Sequence, residues 1–288
     1  MPDVQVRVLG PLEVAHPGGC VAFSGVRQGA LLAMLALKAN AVVPVAKLRE
    51  AIWGESPPDS VSTQLRICVS RLRREFARLG AENVIETHPS GYRLHVTENG
   101  SDLGMFENLL ARGRAATAEE RPGDAARLTR EALDLWRGPA ACGLESTLVQ
   151  MYAAKANEDR AAAYEELFDL ELQLGQHRKI LGELFEHSEQ KPYGERLCAQ
   201  LMLALYRSDR QAEALEAYQR LRGRLSGELG LEPCGRLRQL YEMILAHDER
   251  LELLSPWTVD VSRPALLGFS PRAHRYLGDT AEGSGLCA

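Results

Sequence analysis

The chain of 288 residues has no CxxC pair and no cluster of cysteine and histidine at metal-ligand spacing. Its six cysteines stand apart as Cys20, Cys68, Cys142, Cys198, Cys234 and Cys287. Neither a zinc site nor a disulfide framework is therefore expected, and a reducing cytoplasm is the natural compartment. No segment approaches the roughly 18 uninterrupted apolar residues of a membrane helix. The opening MPDVQVRVLG lacks the basic start and apolar run of a signal peptide, so secreted and membrane roles are excluded. Also missing are GxxxxGK[ST], GxGxxG after a strand, HExxH and GxSxG, and the seven histidines do not cluster. Acidic pairs such as Glu165-Glu166 are ordinary solvated helix faces. The sequence thus argues against an enzyme and calls for no cofactor or metal.

What is present is the composition of a globular chain of about two domains, 45% hydrophobic and 25% charged. The net charge of −5 conceals an asymmetry. Residues 1–98 carry eleven Lys/Arg against nine acids, or +2, which leaves −7 for the remainder. Within 61–80 there are five arginines and one acid, enough for a phosphate-facing surface on an otherwise acidic protein.

Val4, Val6 and Val8 alternate, and Gly10-Pro11 separates them from Leu12 and Val14, which reads as a small antiparallel sheet. Helical spacing follows from Gln28 to about Asn40, then from Val45 to Trp53, where Gly54 stops the helix. Pro57-Pro58 forbid helix before Asp59 or Ser60 caps a third. Val84 to Glu86, a turn at His88 to Gly91, and Tyr92 to Val96 read as a hairpin. This order is that of a winged helix-turn-helix.

Residues 100–104 interrupt the pattern, and from Met105 to about Leu253 nearly everything reads as helix. A shift of 34 residues aligns Leu167 with Leu201, Gly175 with Asp209, Leu181 with Leu215 and Leu184 with Tyr218. That is the tetratricopeptide period, and Gly123 to Leu133 reads as a degenerate upstream copy. The fold class is mainly α: a winged helix-turn-helix (α+β) over 1–98, an all-α tetratricopeptide-like repeat domain over 103–253, and a loosely ordered tail over 254–288. In the tail, Trp257, Leu266, Leu267 and Phe269 are the residues suited to capping the last repeat.

On a helical wheel of 61–79, Val61, Leu65, Val69, Leu72, Phe76 and Leu79 form one apolar stripe. The opposite side carries small hydroxyls, a glutamine and arginines, the groups that read base edges and hold phosphates in a major groove. A five-arginine helix in isolation is more often a solvated basic face. Here two helices lead into it and a hairpin follows, where a recognition helix belongs. Thr63, Gln64, Arg66, Ile67 and Ser70 are the base-reading candidates. Arg71, Arg73, Arg74 and Arg78 are candidates for phosphate, Arg73 being partly structural. Ser90, Tyr92 and Arg93 belong to the wing, with Tyr92 equally suited to the core.

The residues as a set resemble the actinobacterial antibiotic regulatory proteins, or SARPs, of the AfsR/DnrI/RedD type. The matching segments include Leu9-Gly10-Pro11-Leu12, Leu48 to Gly54 with Pro57-Pro58, Val69 to Arg73, and Gly91 to Leu94. Further along they are Leu135 to Gly138, Gln200 to Arg207 with Arg210 to Leu215, and Glu228 to Pro233. The resemblance runs from about Val4 to Leu253. It implies an OmpR-like winged helix followed by a bacterial transcriptional activation domain. It also implies an activator that binds promoter direct repeats in double-stranded DNA as a side-by-side homodimer and contacts RNA polymerase and its sigma factor. The target would be a secondary-metabolite gene cluster and the location the cytoplasm, at the nucleoid. Glu55, Ser56 and Asp59, between the second and third helices, are the polymerase-contact candidates. Nothing beyond residue 254 resembles a nucleotide-binding, receiver or phosphothreonine-reading module, which points to the small two-domain form. The competing reading is a repeat-domain scaffold whose winged helix docks protein and not DNA.

Overall fold

Val6 and Val14 face one another across the first strand pair, and their burial fixes its register. Strands β1 (Gln5–Arg7), β2 (Glu13–His16) and β3 (Gly19–Ala22) form an antiparallel sheet in that order. The structure is a computed structural model that describes residues 4–23 and 25–252. The expectations for 254–288, the cap from Trp257 and its neighbours among them, lie outside the described residues.

Helix α1 (Val26–Ala36) ends four residues short of Asn40. Asn40 takes a left-handed φ of 63°, its N–H donates to Leu94 O at 2.8 Å, and its side-chain oxygen accepts from Val96 N at 3.0 Å. Strand β4 (Val43–Pro44) leads into α2 (Val45–Trp53), which stops at Gly54 as the sequence indicates. In α3 (Val61–Arg78), Ser60 stands at the N-cap position, but its hydroxyl accepts from the Gln64 side chain and caps no backbone N–H. Strands β5 (Ile85–His88) and β6 (Gly91–Leu94) complete a second sheet in the order β4-β6-β5. Gly91 is required there, because a Cβ would meet Val43 O at 2.0 Å.

The rest is helical: α4 (Asp102–Ala118), α5 (Pro122–Leu133), α6 (Thr147–Gln173), α7 (His177–Gln190), α8 (Glu195–Tyr206), α9 (Gln211–Arg224) and α10 (Gly235–Leu245). The 34-residue alignment has a structural counterpart. Gly175 and Asp209 both take left-handed φ, 73° and 61°, at the turns joining α6 to α7 and α8 to α9. In each turn the next N–H donates five residues back, Gln176 to Glu171 O and Arg210 to Leu205 O, the closure that satisfies helix-end carbonyls. Helix α6, 27 residues long, links two cores. Buried residues from Val6 to Leu170 form one apolar cluster, and those from Phe168 to Leu251 form a second.

The first cluster therefore joins the winged helix to the first helical pair, and α1 and α2 pack against α6. The join is polar as well as apolar. Asp102, at the start of α4 and almost wholly buried, accepts from Val8 N at 2.8 Å and Leu9 N at 2.9 Å. The loop after α5 closes the other side, where Arg137 N donates to Leu9 O and Ala141 N to Val8 O, both at 2.8 Å. The Arg137 guanidinium reaches Asp102 at 3.4 Å and Glu13 at 2.9 Å. Gly10, at φ 147°, lies so close that a Cβ would sit 2.9 Å from Arg137 Cβ. Burial raises the Asp102 pKa above the usual carboxylate range, against the pull of its backbone donors and Arg137. A raised folded pKa means the folded chain takes up this proton more readily than the unfolded one. Acidification through that range thus adds stability through Asp102. Replacing Asp102 with Ala strands two buried amides, and denaturant unfolding is expected to show a loss of about 3 kcal/mol. The loss from Glu13→Ala is expected to stay below about 1 kcal/mol; equal losses would remove Asp102 from its central place.

Candidate nucleic-acid interface

Helix α3 divides cleanly by exposure. Val61, Leu65, Cys68, Val69, Leu72 and Phe76 are buried, while Thr63, Arg66, Ile67, Ser70, Arg71, Arg74 and Arg78 are exposed. Cys68 belongs to the packed side, and burial pushes its thiol pKa up, the opposite of an activated thiolate. Ile67 stays 45% exposed, a branched apolar group in the middle of a polar face. Such a group suits contact with a thymine methyl better than contact with water.

The arginines have different employments. Among the described residues, Arg66, Arg71 and Arg74 have no carboxylate within ion-pair distance, so their charge is unneutralised by the protein. Arg78 pairs with Glu75 at 2.8 Å on the same helix. Arg73 turns the other way. Its Nε and Nη2 donate to Ile85 O at 2.9 and 2.7 Å, and Nη2 also reaches Thr87 Oγ1 at 2.8 Å. This residue fastens the wing strand β5 to α3, and its donors on that side are spent on protein. Gln64 is also engaged: it donates to Ser60 Oγ at 3.1 Å and accepts from Arg27 at 3.3 Å. Arg27 in turn lies over the Trp53 ring, 5.9 Å from its centroid. The sequence pattern did not single out Arg27, since it stands in the first turn of another helix. Contact with Gln64 makes it a further cation at the N-terminal end of the reading face.

In the wing, Pro89 and Ser90 form the tip, and His88 Nδ1 lies 2.9 Å from Ser90 Oγ. Arg93 forms a two-pronged pair with Glu86 across the strand pair, and that bond holds the Glu86 carboxyl below its ordinary pKa. Tyr92 is buried at 9% exposure and belongs to the core beside Val43, so the wing surface is left to Ser90, His88 and Arg93. Glu55, Ser56 and Asp59 lie exposed in the loop between α2 and α3.

Residues 25–94 match the family model for the C-terminal domain of transcriptional regulatory proteins, and residues 101–245 match that for the bacterial transcriptional activator domain. The chain is 36% identical over 261 residues to regulatory protein DnrI of Streptomyces peucetius, covering 88% of this chain and 96% of DnrI. The chain belongs to the SARP family. Its identity to the transcriptional regulator RedD of Streptomyces coelicolor is 34%, over 88% of this SARP and 73% of RedD. With regulatory protein AfsR of the same species it is also 34%, over 92% of this chain but 27% of AfsR. The solved structure of Mycobacterium tuberculosis EmbR in complex with a low-affinity phosphopeptide superposes with a TM-score of 0.80 at 35% identity. That match covers 86% of this chain and 66% of the EmbR chain, so this SARP spans about two thirds of it.

As a SARP the protein is a transcriptional regulator with a DNA-binding domain and not an enzyme. No helix among the described residues is long and apolar enough to cross a membrane. The geometry separates the arginines experimentally. Arg71→Ala and Arg74→Ala are each expected to lower the salt slope of duplex binding by about one unit, on specific and random DNA alike. Substitution of Thr63 or Arg66 is expected to cost about 1–3 kcal/mol at particular base pairs and little on random duplex. Arg73→Ala is expected to lower the melting temperature, which Arg71→Ala and Arg74→Ala leave in place. A base-specific effect from Arg71 or Arg74 would reverse this division of the helix.

Proposed function

We propose that this SARP is a sequence-specific transcriptional activator that inserts α3 into the major groove, with the hairpin β5–β6 on the flanking backbone. The observation that carries the reading is the face holding Arg66, Arg71 and Arg74 without protein counter-charges around Thr63, Ile67 and Ser70. A docking module for a protein has no use for that arrangement, whereas a duplex supplies the missing charge. Residues 1–98 serve as the reading unit and 103–253 as the unit that binds protein, in the manner of stacked helix pairs.

On this reading the protein sits as a side-by-side homodimer on promoter direct repeats and contacts RNA polymerase and its sigma factor. It works in the cytoplasm, at the nucleoid, and its target is a secondary-metabolite gene cluster. The resemblance stated above supports these finer points, and the kinship with DnrI, RedD and AfsR agrees with them. A side-by-side dimer on one face of DNA demands half-sites in the same orientation, with centres about one helical turn or a multiple apart. Selection of bound duplexes from a random pool by the full chain is therefore expected to enrich two tandem copies of one short motif. Enrichment of an inverted repeat would overturn the arrangement, and no enrichment at all would overturn sequence-specific binding.

A further inference from the structure

A serine at the N-cap of a helix ordinarily accepts from a backbone N–H of the first turn. Ser60, at the head of α3, does not: its hydroxyl accepts from Gln64 Nε2, at 3.1 Å. The other end of the same carboxamide meets α1, where Arg27 Nη1 donates to Gln64 Oε1 at 3.3 Å. Arg27 stands in the first turn of α1 and lies over the Trp53 ring at the end of α2, 5.9 Å from its centroid. It has no carboxylate partner among the described residues, so nothing acidic draws it off the glutamine. A cap forgone and a cation from another helix thus converge on one half-buried side chain of the reading helix. Departures of this kind from local rules mark functional positions.

Chemistry fixes what the convergence does. A guanidinium can only donate, and a carboxamide accepts only through its oxygen. The Gln64 oxygen therefore faces Arg27 and its nitrogen faces Ser60, since the reversed amide would set an N–H against the N–H of Arg27. With one lone pair and one N–H engaged, one lone pair and one N–H are left, in a fixed order. A donor to N7 and an acceptor for the N6 amino group are what a glutamine offers adenine in the major groove. An amide free to turn over presents the two in either order and discriminates less.

We propose that Arg27 is a positioning residue for base specificity: from outside the recognition helix it fixes the orientation of the Gln64 carboxamide and so commits Gln64 to adenine. The proposal rests on α3 as the DNA-reading helix and adds the residue that sets which base one position selects. It also explains why Ser60 gives up its capping bond, since the hydroxyl holds the nitrogen end of the amide that Arg27 holds by the oxygen.

The test uses the full chain and a duplex carrying the motif that the wild-type protein selects from a random pool, with each base pair of the motif replaced in turn. Wild type, Arg27→Ala, Arg27→Lys, Gln64→Ala and the double variant Arg27→Ala/Gln64→Ala are titrated at one salt concentration, and melting temperatures are followed in parallel. Wild type is expected to prefer adenine at one position of the motif by about tenfold or more. Gln64→Ala and Arg27→Ala are each expected to lose that preference and no other, and the double variant to lose no more than either. Arg27→Lys, which keeps a donor at the site, is expected to retain it, and all melting temperatures are expected to stay in place. Equal weakening of every duplex by Arg27→Ala, with base preference intact, would make Arg27 a phosphate contact and overturn the proposal. A lowered melting temperature accompanying the lost preference, or a preference for another base at the position Gln64 reads, would overturn it as well. If Gln64→Ala altered no base preference, the proposal would fall while sequence-specific reading by the rest of α3 stood. Absence of any base preference in the wild type would overturn both.

Discussion

A single buried carboxylate ties the two halves of this regulator together. Asp102 takes the amides of Val8 and Leu9, residues 94 and 93 positions away in the chain, and presents its remaining charge to Arg137. A carboxylate taken out of water is costly unless its lone pairs are filled, and here backbone donors and a guanidinium fill them. The surrounding features follow from that demand. Gly10 is needed because nothing larger clears Arg137, and the loop after α5 turns back toward the sheet to bring Arg137 and Ala141 against Leu9 and Val8. The two family segments Leu9 to Leu12 and Leu135 to Gly138 are thus the two sides of one joint.

The joint gives the DNA-reading surface a frame. Helix α3 rests on the core it shares with α1 and the wing, and Arg73 bolts the wing strand to it. With the donors of Arg73 turned to the wing strand and Arg78 paired with Glu75, the exposed arginines of α3 without a carboxylate partner among the described residues are Arg66, Arg71 and Arg74. On the proposed reading, arginines held on a rigid helix fix the register of the whole molecule on a duplex. Because α1 and α2 pack against α6, that register also fixes where the helical repeats stand.

Much of this was legible in the sequence because its causes are local. Helix α2 runs from Val45 to Trp53 as its pattern and Gly54 dictate, and the apolar stripe of α3 is the buried one. The 34-residue offset between Gly175 and Asp209 reappears as two left-handed turns. What the pattern could not reveal is long-range. Arg73 looks like its neighbours on a wheel and differs only through the Ile85 carbonyl twelve residues away and the Thr87 hydroxyl. The length of α6 and its passage between two cores depend on what packs beside it, and the same holds for the pairing of Asp102 with Leu9. Tyr92 was balanced between wing and core, and the pairing of β6 with β4, which sets Tyr92 opposite Val43, leaves it buried.

Native-state hydrogen exchange of the Val8, Leu9, Arg137 and Ala141 amides tests the rigid joint most directly, since all four are donors within it. If the joint is part of the global fold, these amides exchange only with complete unfolding, at the same opening free energy as the amides of Leu32 and Leu35 in α1. Exchange through a separate, cheaper opening, with α1 still protected, would contradict it and make the two halves independent bodies on a hinge.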